Sequence, residues 1–133
     1  MQSIKLKTTK RIELIDITAE VGKIVAKSKI SDGICFISCP HTTAGLTINE
    51  NADPSVKQDI INALNKLAPA NAGYAHSEGN SDSHIKASLF GPTLTVFVEN
   101  ARLALGTWQG LYFCEGDGPR EREVWVKIIK NYA

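Results

Sequence analysis

The chain has three cysteines, Cys35, Cys39 and Cys114, and no Cys-x-x-Cys pair. An odd number with that spacing argues against a disulfide framework and for reduced thiols. Cys35 and Cys39 lie four apart in a strand-like segment, which puts them on one face. Small thiols in that position serve packing more often than ligation. Long apolar runs are missing too. No stretch approaches the ~20 apolar residues of a membrane span, and the N-terminus has no signal-peptide core, so the expectation is a cytoplasmic protein with no membrane partner. Excess charge is also lacking: the net charge is +1, and the only basic concentration is Lys5 to Arg11. That argues against nucleic acid as a partner and suggests that the basic start is a solvated strand face. Internal repeats, low-complexity tracts and linkers are absent.

What remains is an ordinary globular composition, 43% hydrophobic and 22% charged over 133 residues. That length suits one domain, 1–133, able to bury roughly two-thirds of its unfolded surface without cross-links.

Residues 3–17 read as strand, with Ile4, Leu6, Ile12, Leu14 and Ile17 as the apolar positions. A helix is expected from Thr18, whose hydroxyl can cap it, to about Ser28, with Val21, Ile24 and Val25 on one face. Ser31-Asp32-Gly33 turns the chain into an apolar strand over 34–38, and 47–49 can continue a sheet. The clearest helix has Asp53 as cap and Pro54 at its first position. Its apolar residues are Val56, Ile60, Ile61, Leu64 and Leu67, and Pro69 stops it. A loop over 70–80 leads to a short helix, about 82–90, ended by Gly91-Pro92. Strands are expected at 93–99, 103–113 and 123–129. Helices and strands do not alternate, so a mixed or antiparallel α+β domain is favoured over a doubly wound parallel sheet.

All three histidines fall in polar, turn-rich segments beside carboxylates or hydroxyls: Pro40-His41-Thr42-Thr43, Ala75-His76-Ser77-Glu78 and Asp82-Ser83-His84. Such a pattern suits metal ligation or acid-base chemistry, although loop histidines are also commonly solvated residues with no shared role.

Four segments, in order, resemble the signature stretches of the YjbQ family. They are His41-Thr42-Thr43-Ala44-Gly45-Leu46-Thr47-Ile48-Asn49-Glu50-Asn51-Ala52-Asp53, Glu78-Gly79-Asn80-Ser81-Asp82-Ser83-His84-Ile85-Lys86, Leu105-Gly106-Thr107-Trp108-Gln109-Gly110 and Asp117-Gly118-Pro119-Arg120. The resemblance spans almost the whole chain. It implies an α+β fold with a β-sandwich-like core and a few flanking helices, a homotrimeric assembly, and activity as a secondary thiamine-phosphate synthase. His41, His76 and His84 match histidine positions of the family pattern, which implies a shared metal or substrate site. Zinc is the expected ion, since three imidazoles with one open position form a catalytic zinc arrangement. Magnesium can accompany a pyrophosphate substrate.

Roles for the remaining candidates follow from residue type. Glu50, flanked by Asn49 and Asn51, suits a base or a group that orients a ligand histidine, whereas Asp53 is better explained as a helix cap. His84 can act as ligand or acid-base group. Glu78 lies in a loop with no capping role, while Asp82 can cap the following helix. Asn80, Ser81 and Ser83 at a helix start, with Lys86 and Arg120, suit a phosphate, though Arg120 fits equally well as an exposed hairpin residue. Trp108 can stack on a flat ring or serve core or interface. Two reaction classes fit this set. One is a transferase joining hydroxymethylpyrimidine pyrophosphate to thiazole phosphate. The other is a metal-dependent hydrolase of a small phosphorylated metabolite. A trimeric metal-binding protein without turnover is the third possibility.

Overall fold

The computed structural model describes residues 1–132. Eight strands and three helices follow the order β1 (Gln2–Lys7), β2 (Glu13–Asp16), α1 (Thr18–Ser28), β3 (Asp32–Ser38), β4 (Ala44–Glu50), α2 (Pro54–Leu67), α3 (Ser81–Phe90), β5 (Thr93–Glu99), β6 (Arg102–Leu103), β7 (Gln109–Glu115) and β8 (Glu121–Lys130). They build an antiparallel five-stranded sheet, β1-β8-β3-β5-β6, and an antiparallel three-stranded sheet, β2-β7-β4. The α+β expectation holds.

The main core contains Ile4, Ile17, Val21, Val25, Cys35, Ile37, Leu46, Val96, Val98, Leu111, Phe113, Val124 and Val126. It draws on both sheets and on α1. Alternation along β8 buries Arg122, Val124 and Val126 and leaves their neighbours at least partly exposed, as expected for a sheet with one solvated face. By contrast, β7 is buried from Gly110 to Glu115. Its second face carries Tyr112 and Cys114, which pack with Leu14 against Ile60, Ile61 and Phe90 from α2 and α3. Close approach of α3 requires Gly45: a Cβ there would lie 2.8 Å from the Gly91 carbonyl and 2.9 Å from Phe90 Cβ.

Three expectations change. The stretch 3–17 is two strands in different sheets, because the turn at 8–12 carries the chain from β8 to β7. The stretch 103–113 likewise divides into β6 and β7, so Trp108 lies in the preceding loop rather than on a strand. Thr18 does not cap α1 with its own side chain. Asp16 Oδ1 accepts from the Thr18 N–H at 2.9 Å, and the Thr18 hydroxyl accepts from Leu111 N–H. Asp53 does cap α2, accepting from Ser55 N–H at 2.9 Å. Cys35, Cys39 and Cys114 are all buried and free.

Candidate functional site

The first turn of α3 is the centre of the polar architecture. The helix opens after Gly79, whose φ of +78° turns the chain back in a conformation that glycine adopts freely. That reversal brings His76, in the preceding loop, onto His84. Their rings stand edge to face at 85°, with centroids 5.6 Å apart. Tyr74, Ala75, Ser81 and Ile85 complete an open cleft around them, and the Tyr74 hydroxyl braces the loop by donating to Pro69 O. His76 Nε2 lies 3.7 Å from Glu78 Oε2.

Beneath the cleft, Asp82 is fully buried between two cations. Arg11 donates to both carboxylate oxygens, at 3.0 and 2.9 Å, and Lys86 Nζ lies 2.9 Å from Oδ2. The Arg11 hydrogen bonds, aided by Lys86, hold the Asp82 carboxyl at about 2 against the opposing effect of burial. Asp82 is therefore not a helix cap, and Asn80 occupies that position without a side-chain capping bond. Lys86 is 2% exposed and committed to Asp82, so it does not reach a phosphate directly as expected. Ser83 is also buried, its hydroxyl donating to Gly116 O, so it anchors α3 to the β7–β8 connection instead of facing ligand.

Asn80 donates to Asp117 Oδ2 at 3.0 Å, and the same oxygen accepts from Arg120 at 3.1 Å. Arg120 is thus tied within its turn yet half exposed beside the α3 N-terminus. Among the described residues Asn80 Oδ1 is buried with no hydrogen-bond partner. A second buried ion pair lies alongside. Arg122 binds Glu115 through two nitrogens and also donates to Thr43 Oγ1 at 2.9 Å, while Thr8 Oγ1 donates to Glu115 at 3.0 Å. Burial pushes Glu115 up, but the Arg122 bonds and the Asp117 N–H outweigh it and leave the carboxyl below its usual range.

His41 does not join the other two histidines. Its ring stands edge to face with Phe113, and Nε2 sits 3.0 Å from Glu123 N and 3.2 Å from Glu123 O. Burial, then the positive charge of Arg122, lowers its pKa from the usual histidine value. Among the described residues no three His, Cys, Asp or Glu side chains are grouped to hold a metal ion. The expected convergence of His41, His76 and His84 on one ion is therefore not present within a single chain, because β8 backbone fixes the His41 ring.

The other candidates occupy the opposite end of β4 and β7. Register pairs Ala44 with Glu115 at one end and Glu50 with Gln109 at the other, about 20 Å away along seven residues. There Asn51 N–H donates to Trp108 O and the Asn51 amide to Asp16 at 3.3 Å. Glu50 O accepts from Tyr112, and Trp108 is 63% exposed. Glu50, Asn51 and Trp108 thus share one end, while Asn80, Ser81 and Arg120 share the other. Glu115 and Arg122 were absent from the sequence expectations, and Arg11, expected on a solvated strand face, lies instead between β1 and β2 and binds the buried Asp82. The Asp82…Lys86 spacing is a legible i,i+4 ion pair, but Arg11 is 71 residues from Asp82, and Arg122 meets Glu115 only across the β7–β8 connection, so neither pair carries a local signal.

A family model described as UPF0047 protein YjbQ-like matches residues 2–131. A UPF0047 protein of Methanocaldococcus jannaschii is 57% identical over 94% of this chain and 91% of its own length. The YugU protein of Bacillus subtilis is 49% identical over 97% and 98%. Among solved structures, a YjbQ/UPF0047 protein of Clostridium acetobutylicum superposes with a TM-score of 0.95 at 54% identity, covering 97% of this chain and all of that one. A YjbQ-like protein of unknown function from Sulfolobus solfataricus superposes at 0.94 with 33% identity, covering 98% and 96%. The chain belongs to the YjbQ-like UPF0047 family.

Proposed function

We propose that this protein is a zinc-assisted transferase acting on small phosphorylated metabolites, with secondary thiamine-phosphate synthase activity as its specific reaction. The observation that carries this reading is the His76–His84 pair in an open cleft at the start of α3. Two imidazoles on one tetrahedral zinc, with bonds of about 2 Å, have ring centres about 5 Å apart. The 5.6 Å separation fits that arrangement with little movement. Zinc bound there would supply a Lewis acid for a phosphate oxygen or a departing pyrophosphate, and magnesium can arrive with the pyrophosphate itself.

The chain's own groups handle the anion. Ser81 offers a hydroxyl in the cleft. Arg120 offers a guanidinium that can exchange its Asp117 partner for phosphate. Lys86 and Arg11 act through Asp82, holding the first turn of α3 and hence His84 in place. Trp108, Glu50 and Asn51 lie too far along β4 and β7 to serve the same cleft from within one chain. A homotrimer would let that end of one copy face the α3 end of the next.

Two surfaces support assembly. At the end of α2, Leu67 is exposed, while the Ile60 and Ile61 face already packs on β7. On the larger sheet, Phe36, Phe97 and Ile129 are exposed. Sedimentation at micromolar concentration should give three times the chain mass, and a monomer would oppose this part of the proposal.

The enzymatic test is incubation with hydroxymethylpyrimidine pyrophosphate, thiazole phosphate, zinc and magnesium. Formation of the new carbon-nitrogen bond is expected. Release of phosphate from either substrate alone would instead favour the second reading, a metal-dependent hydrolase, which the cleft's open access to water supports.

A further inference from the structure

We propose that a cavity between α1 and β8 binds a short aliphatic carboxylate, its alkyl chain against isoleucine and valine and its charged end at the lysine-bearing mouth. The cavity measures about 380 Å³. That lies at the lower end of the ~300–1,000 Å³ typical of small-molecule sites and suits a chain of about eight carbons. It shares no lining residue with the His76–His84 cleft, so the proposal stands apart from the metal reading.

The fold makes this cavity by ending one strand early. β1 pairs with β8 only as far as Gln2 opposite Val126, whereas β8 runs on to Lys130 with β3 along its other edge. Val126 and Ile128 are two apart and so stand on the same, core-facing side of β8, while Lys127 borders the edge that β1 leaves open. On α1, Ile24, Lys27 and Ser28 stand three and four residues apart and share one side of the helix. Val126 is buried, but Ile24, Ile30 and Ile128 are only partly so. They keep apolar surface that neither the sheet nor the helix covers.

The polar lining selects the sign of the ligand. Lys27 and Lys127 line the cavity, and no Asp or Glu does. Among the described residues neither ammonium group has an ion-pair or hydrogen-bond partner. Ser28 is not free to bind, because its hydroxyl donates to Val25 O at 2.6 Å and accepts from Ile30 N–H at 3.2 Å. An aliphatic wall beside two uncompensated cations complements a molecule with an apolar body and one negative end. A cation of the same shape would meet like charge, and a neutral one would leave the lysines unused.

Titration of the intact protein with sodium octanoate, followed by its amide and methyl resonances, tests the proposal, with octylammonium as the charge-reversed control. Octanoate should saturate at one per chain with shifts at Ile24, Ile30 and Ile128, and octylammonium should not saturate. Lys27 and Lys127 are exposed, so Lys27→Glu and Lys127→Glu should leave the fold intact, which circular dichroism checks. Each should weaken octanoate by about fivefold, and added salt should weaken it in the parent. Lys27→Arg should bind as the parent does. The proposal is overturned if octanoate gives no saturable shift at millimolar concentration, or if octylammonium binds equally well. Unchanged affinity in the doubly substituted variant, or shifts centred on Phe36 and Phe97, would overturn it too.

Discussion

Asp82 and Lys86 form an ion pair one helical turn apart, at 2.9 Å, in which the side chains are 0% and 2% exposed. Water does not screen it, and Arg11 closes the other side of the carboxylate. Removing one partner of such a pair leaves a buried charge with too little compensation. Lys86→Met should therefore lower unfolding stability by about 3 kcal/mol, below the largest losses for buried pairs because Arg11 remains. Urea unfolding with an unchanged slope would measure it, and a loss within about 0.5 kcal/mol would mean that Arg11 alone neutralises Asp82.

The same carboxylate predicts an acid limb. Its pKa falls from 3.8 to about 2 in the folded protein, chiefly through the Arg11 hydrogen bonds. A depressed folded pKa gives stability that is complete above the unfolded value and lost as pH drops toward the folded one. Between about pH 4 and pH 2 the protein should lose about 2 kcal/mol through this group. Asp82→Asn should be less stable at neutral pH and show a flatter decline over that interval. An identical slope in parent and variant would remove Asp82 from the account.

His41 should act in a higher window. Burial, then Arg122, lowers its pKa from 6.5, so the folded state favours the neutral ring. The stability tied to neutrality is complete above about pH 6.5 and declines as pH falls toward the lower folded value. Nuclear magnetic resonance should give His41 a midpoint below that of an unfolded histidine. A midpoint at or above 6.5 would contradict the burial and charge effects together.

Much of this arrangement was legible in the sequence, and the limits have physical causes. Asp53 and Pro54 marked the start of α2 because a capping carboxylate and a first-turn proline act locally. The apolar stretches of β3 and β5 were readable as strands, but the exposure of Phe36 and Phe97 on them was not. Local pattern cannot show that Lys10 and Arg11 belong to a turn between two sheets, nor that 104–108 interrupts an apolar run. The three histidines looked equivalent because sequence shows neighbours and not partners. His76 and His84 meet across the Gly79 turn, while His41 is captured by Glu123, 82 residues away.

Trp108 separates stability from binding. Its side chain is 63% exposed, so Trp108→Ala should change stability by no more than about 0.5 kcal/mol. If the indole stacks on the pyrimidine or thiazole ring in the assembled protein, KM should rise several-fold, on the order of 1 kcal/mol. Steady-state kinetics beside a melting curve would distinguish these effects. An unchanged KM would leave the indole as interface or surface.

The central claim is that His76 and His84 bind a metal ion together. With only three histidines in the chain, their ring proton resonances can be followed through a single zinc titration by nuclear magnetic resonance. The account predicts that the His76 and His84 signals shift together and saturate at one zinc per chain, while His41 stays in place. Resonances of His76 and His84 that do not respond to zinc would contradict it.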